Sequence, residues 1–492
     1  VSLGDRAPWG GWGHDGLMKS PHIKETLYGL DGALTHEFDG SFLKSVEAGL
    51  NYTHRKKTKT VDELDLFLKN GREQVLVDSQ YLTDPTSLGF AGFGDVLGFQ
   101  VADALDAYYD LLPLEDAAHF DKAWSIKEDI LTFKAKANIE AGALHGNVGV
   151  QIVQQKQSSS GVRINQTVSP IALSDVTITD KYTDVLPSLN LSYDITGQHR
   201  LRLAAAKVMA RPRMDDLRAN LTPSFNGGIC AGDPGCSPGQ TVNPWSASGG
   251  NPELQPWRAK LLNVAYEWYG GNATYFSVSA FQMWLDNYIY TQLRTADFSD
   301  FPLPSTAESI PDDVIISPIG QISQPANGDG GKVRGIEVSG ALELGKLTPI
   351  LTGFGVQGSA SYSKFDLKPN AEGSIGILPG FSKWVYNLTG YYERNGFQAR
   401  ASYRYRSGFK GEVVSLFANL GYPMILADKQ LDAQVGYTFP EGTNLANFGI
   451  QLQVNNVLNS PYRTTYDVNG TRTLETYDKF GRQWMLGVSK RF

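Results

Sequence analysis

No stretch of this 492-residue chain is apolar for long enough to cross a bilayer as a helix, which removes the helical membrane proteins. Positive charge is in deficit. Lys and Arg number 44 against 51 Asp and Glu, and the net charge of -7 with a pI near 5.6 argues against a nucleic-acid partner. Enzyme motifs are missing too: there is no Gly-x-Ser-x-Gly elbow and no His-Glu-x-x-His, and the seven scattered histidines have no ligand spacing. The run Gly340 to Lys346 approaches a phosphate loop, but Leu347 stands where Ser or Thr would bind Mg²⁺ and no helix follows. No catalytic residue, metal or cofactor is expected. Proline- and serine-rich linkers, composition breaks and short repeats are also lacking, so one long sheet accounts for the length more simply than several domains.

What the chain does have is aromatics, glycine and alternation. There are 23 Tyr, 23 Phe, 9 Trp and 52 Gly, a mix that favours strands and turns. In 397–406, Phe397, Ala399, Ala401, Tyr403 and Tyr405 alternate with Gln398, Arg400, Ser402, Arg404 and Arg406. The same split recurs at 43–55, 130–138, 147–155 and 430–439, and in the last strand, where Trp484, Leu486 and Val488 oppose Gln483, Gly487 and Ser489. One face suits lipid and the other water, so the mean hydropathy of -0.26 is what a transmembrane β-barrel averages to. Roughly fifteen such strands are expected, each near the ~9–11 residues that a tilted spanning strand needs.

Connections alternate in length. Tight turns are expected at Asp39-Gly40, Ala141-Gly142, Thr196-Gly197, Gly270-Gly271, Asn395-Gly396 and Glu441-Gly442, with long irregular loops near 56–124, 159–181, 211–256, 289–331 and 410–426. Short turns of membrane barrels are periplasmic and long loops extracellular. The last strand would then run inward and the first, near 23–37, likewise, so residues 1–22 would begin outside the cell. Val1 to Trp12 has neither the basic start nor the apolar core of a signal peptide. A complete barrel has no open edge in lipid, so the reading at this stage is of an incomplete one.

Several motifs resemble TonB-dependent outer-membrane receptors: Tyr182-Thr-Asp-Val-Leu-Pro-Ser-Leu-Asn-Leu-Ser-Tyr193, then Leu201 to Lys207 with Ala210-Arg211-Pro212, Gly250-Asn-Pro-Glu-Leu-Gln-Pro256, Val333 to Val338, and Val454 to Asn459. The terminal aromatic Phe492 resembles the assembly signal of outer-membrane proteins, although Lys490 departs from it. The resemblance implies an all-β, antiparallel 22-stranded barrel in the Gram-negative outer membrane. Residues 1–492 would supply its C-terminal ~15 strands, with the plug and first strands absent. It also implies energy from TonB, acting through the missing part, and an oligosaccharide or small-molecule cargo. A surface lipoprotein would be a further partner under the same resemblance.

Candidate site residues each carry a plainer alternative. Tyr108, Tyr109 and Trp245 lie in long loops and could stack on a sugar or aromatic siderophore, or pack loops together. Arg334 and Glu337 flank Gly335 and are expected in the lumen, paired with each other or touching substrate. Arg404 and Arg406, with Arg400 and Asp432, form a charged lumenal wall for cargo or plug. Gly250 to Pro256 is expected to shape a loop through its two prolines. Cys230 and Cys236 are expected to form a disulfide, since assembly outside the inner membrane is oxidising; two free thiols are the alternative. The function expected is active import of a nutrient, with a carbohydrate ahead of a ferric siderophore. A passive porin, a surface-adhesive barrel and a barrel enzyme are the rivals.

Overall fold

The computed structural model describes every residue other than 1, 5–12, 41, 70, 90–91, 93, 166, 233–234, 272, 368–378, 412, 415–419, 469–470 and 491–492. Phe492 therefore lies outside the described residues. The long strands are β1 (Gly16–Glu37), β2 (Leu43–Leu68), β3 (Trp124–Ala141), β4 (Leu144–Asn165), β5 (Ala172–Asp194), β6 (His199–Ala210), β7 (Trp257–Gly271) and β8 (Thr274–Asp297). They continue as β9 (Ile319–Glu343), β10 (Phe354–Leu367), β11 (Trp384–Arg394), β12 (Phe397–Arg406), β13 (Asp428–Thr438), β14 (Phe448–Asn455) and β15 (Gln483–Lys490). Each pairs antiparallel with the next, from β1–β2 through β14–β15. Among the described residues the far edges of β1 and β15 carry no ladder. The barrel's hydrogen-bonded circuit closes at the long-loop end, where Leu221–Phe225 and Trp245–Gly249 bridge β4 to β9.

Alternation sorts the faces. Leu50, Leu131, Phe133, Val148, Val185, Val264, Ile336, Leu388 and Val435 are exposed on the outside, the reverse of a soluble core. Tight turns take their shape from the residues expected: Asn395 and Gly396 both have positive φ (51° and 81°), which a two-residue hairpin turn demands.

Two of the expected loops are largely strand. β4 and β5 stay paired out to Asn165 and Ala172, leaving only a short link within 159–181, and β8 and β9 pair out to Asp297 and Ile319 within 289–331. Beyond the bilayer both faces of a hairpin are wet, so the apolar alternation that marks a strand disappears while the ladder continues. Ser158–Thr179 and Ser160–Thr177 hydroxyl contacts line this extension.

Candidate functional site

The segment between β6 and β7, residues 211–256, turns back into the barrel mouth rather than standing clear of it. β6 ends where Pro212 removes a ladder donor. Leu217 and Leu254 then bury completely against Trp124, Ile126 and Met214. Polar side chains on distant strands clamp the same segment. Gln157 of β4 donates to the carbonyls of Pro252 and Leu254 (2.8 and 3.2 Å), and Asn287 of β8 donates to that of Pro256 (2.9 Å). Asn327 of β9 accepts from the Gln255 N–H and donates to its carbonyl. Asn220 donates to the carbonyls of Asp121 and Ala123 (3.0 and 2.9 Å), tying in the loop before β3. Arg258 closes on buried Asp184 with two hydrogen bonds, at 2.6 and 3.0 Å. With each neutral bond worth ~1 kcal/mol net, the clamp makes Gly250 to Pro256 a fixed structural insert.

Two cavities meet beneath it. One, of about 390 Å³, is lined by Arg211, Arg213, Trp257, Tyr290 and Tyr422; the other, of about 440 Å³, runs down the lumen wall past Asn51, Thr132, Gln151 and Met209. Arg211 lines both, is exposed, and has no ion pair or hydrogen bond among the described residues. Tyr422 reaches this space from the β12–β13 connection, so the two sides of the mouth converge there.

A second clamp holds the β2–β3 loop. Buried Glu63 of β2 meets Lys122 (2.7 Å), His119 (3.0 Å) and Lys19 (3.2 Å). Burial alone would raise its pKa, but hydrogen bonds from Lys122, His119 and Lys19 outweigh that and bring it down to about 2.

The sequence-derived candidates do not converge on one site. Tyr108 ends a short helix, Val101–Tyr108, and its hydroxyl oxygen accepts the Asp78 N–H; Tyr109 pairs with Leu68 at the tip of β2. Trp245 is 3% exposed, sandwiched with Phe225 and Phe298, which gives it the loop-packing role rather than an open stacking face. Arg334 requires a correction. It shares the outward face with Ile336 and Val338, above the apolar band, and pairs with Asp366 (3.2 Å). Glu337 stands three positions on, an odd offset, so the two cannot share a strand face, and Glu337 instead accepts from Ser279. Arg404 does line the lumen, bonded to Gln430 and Asp432, while Arg406 bonds Ser382 and covers the Phe409 ring. Cys230 and Cys236 are joined by a disulfide. Arg211 stood in a quoted motif without being singled out; the signal was a cation placed just before a strand-ending proline.

Residues 3–457 match the family model described as "TonB dependent receptor-like, beta-barrel". No curated protein matches the chain. Among solved structures, the siderophore receptor PiuA from Acinetobacter baumannii superposes with a TM-score of 0.56 at 15% identity, over 95% of this chain and 56% of that one. The ferric citrate transporter FecA, unliganded, gives 0.55 at 13% identity, over 96% and 56%. The ferric yersiniabactin uptake receptor FyuA from Yersinia pestis gives 0.53 at 9% identity, over 96% and 54%. At these identities the likeness is one of fold, and the chain spans a little over half the length of each.

Proposed function

The chain belongs to the TonB-dependent receptor-like β-barrel family, and from that premise we propose that it forms the barrel of an outer-membrane receptor importing a nutrient with energy from TonB. Cargo binds at the mouth, and no covalent chemistry is involved. The plug and the TonB-contacting segment that import requires are assigned to the whole receptor.

For the cargo, a ferric siderophore now stands ahead of an oligosaccharide, reversing the order read from the sequence. The observation that carries this is Arg211, a cation that forms no ion pair among the described residues, at the junction of two cavities and flanked by Trp257, Tyr290 and Tyr422, with Asp216 also lining the first cavity. A guanidinium fork matches carboxylate and similar oxyanions, and the rings offer faces for an aromatic chelator. A neutral sugar chain needs no such cation. The solved neighbours, a siderophore receptor, a ferric citrate transporter and a ferric yersiniabactin receptor, support the same order.

Binding of ferric chelates and neutral oligosaccharides to the receptor purified from outer membranes tests the cargo. Arg211→Ala should weaken the preferred chelate roughly tenfold or more, the worth of a charged hydrogen bond. Tight oligosaccharide binding that ignores Arg211 would reverse the order again. Uptake in matched strains with and without TonB tests the mechanism, and undiminished flux without TonB would promote the porin.

A further inference from the structure

Another cavity, of about 520 Å³, lies where the start of β13, the end of β14, the start of β15 and the connection 456–482 meet. It shares no lining residue with the two Arg211 cavities. Its frame is the Val454 to Asn459 motif, which the cargo site does not use. The Asn456 N–H donates to Asp432 (2.9 Å), its side-chain amide donates to the Gly481 carbonyl (2.8 Å), and its side-chain oxygen accepts the Ser460 N–H (2.9 Å). One residue thus ties β13, the approach to β15 and the outer connection together, so the cavity is preformed.

Amides and rings make up much of the wall. Gln453 donates to Asn455 (2.9 Å), and Asn455 donates across the ladder to Gln483 (3.4 Å), whose own side-chain N–H has no partner among the described residues. Tyr462 and Phe480 supply the rings, the latter 79% exposed. Two charges of opposite sign line the same cavity, and neither forms an ion pair among the described residues: Asp428 and Arg482. Arg406 stands opposite Asp428 in the ladder but is turned away, bonded to Ser382 (2.7 Å) and the Gly380 carbonyl with its guanidinium over the Phe409 ring. Arg404 is taken up by Gln430 and Asp432. On the other side, Arg482 Nε donates to the Val457 carbonyl (2.8 Å), which orients the fork and leaves its two terminal nitrogens without a partner among the described residues. Asp432 is engaged by Arg404, and Asp478, across the outer hairpin from Tyr462, forms no ion pair with Arg482. A ligand carrying one ammonium and one carboxylate answers both charges at once.

We propose that this cavity binds a short peptide with free ends, its ammonium at Asp428, its carboxylate on the Arg482 fork and a backbone carbonyl on the Gln483 amide. A side-chain amide offers the donor and acceptor that a peptide bond pairs with, and the volume is that of a small-molecule site. The inference does not rest on the cargo assigned to Arg211. Calorimetric titration of the receptor purified from outer membranes tests it, with the tripeptide Ala-Tyr-Ala, its N-acetyl and C-amide forms, and maltotriose as probes. The free tripeptide should bind, and blocking either end should weaken it roughly tenfold, the worth of one charged hydrogen bond. These comparisons on the parent need no variant to fold. D428N should erase the preference over the N-acetyl form and keep that over the amide, while R482Q should do the reverse. No binding of the free tripeptide at millimolar concentration, equal affinity for free and blocked forms, tighter binding of maltotriose, or a variant that still prefers the end it no longer reads would each overturn the proposal. Failure of the cargo reading would look different: R211A should leave peptide binding unchanged, whatever it does to the chelate.

Discussion

On the inward face of β2 and β3, Lys136 meets Glu47 at 3.1 Å, and nearby Lys134 of β3 reaches Asp31 of β1 at 3.4 Å; on the outward face of the same strands, Lys56 meets Lys127. The inward charges are balanced within the protein, as a water-filled or protein-filled lumen allows. The outward pair has one carboxylate close by among the described residues, Asp129, which is itself bonded to Tyr52 and His54. Strand alternation thus separates two electrostatic environments one residue apart, and each tolerates substitutions that the other does not.

The inward side should break most sharply where charge is driest. Asp184 is buried against Arg258, so Asp184→Ala strands a guanidinium beneath the mouth insert, at a cost of about 3–5 kcal/mol. Thermal or denaturant midpoints of the reconstituted receptor would register it, and a wild-type midpoint would mean that water replaces the carboxylate. Next comes the outward face. Ala401→Arg or Val435→Arg should cost roughly 2–4 kcal/mol if the site is near the bilayer midplane, whereas Ser402→Arg or Gln434→Arg, one position away, should cost far less. Equal sensitivity on both faces would remove the membrane from the comparison.

How much of this was legible in the sequence follows from range. The limits of β12 and of the 211–256 insert could be read directly, because alternation, prolines and turn glycines are local signals. The clamp on Gly250 to Pro256 could not, since Gln157, Asn287 and Asn327 come from strands tens of residues away, and their meeting depends on register. Register also hid the opposition of Lys56 and Lys127, which look like ordinary solvated charges until their strands are paired. Arg334 was misread for a different reason, that proximity in sequence to Glu337 was weighed above the parity of a strand.

A smaller effect should come from the Glu63 clamp, which lies outside the membrane span. Its folded pKa of about 2 is below the usual 4.5, so the stabilisation is fully present above pH ~4.5 and is lost as pH falls toward 2. The shift corresponds to no more than about 3 kcal/mol, and partners Lys19 and Lys122 are partly solvated, which reduces it. Limited proteolysis within 69–123 should therefore accelerate across that acid window in the parent. Glu63→Gln should cleave faster already at neutral pH and show a flatter pH profile; an unchanged profile would detach the clamp from loop order.

The smallest effect should belong to Arg400 and Glu393, an inward pair at 3.4 Å whose side chains are 48% and 53% exposed. Geometry alone would place it beside Arg258 and Asp184, but solvent decides otherwise. Two long side chains must give up rotamer freedom to meet, and water already screens the attraction, so Glu393→Gln should shift stability by no more than ~1 kcal/mol. Raising salt to about 1 M, where the screening length is near 3 Å, should erase even that difference between parent and variant. A loss approaching that of Asp184→Ala, or one that survives high salt, would mean that something covers this part of the lumen and dries it. The pair is thus a gauge of lumen hydration: the same substitution measured on the barrel chain and on the whole receptor would report whether a protein surface is seated against β11 and β12.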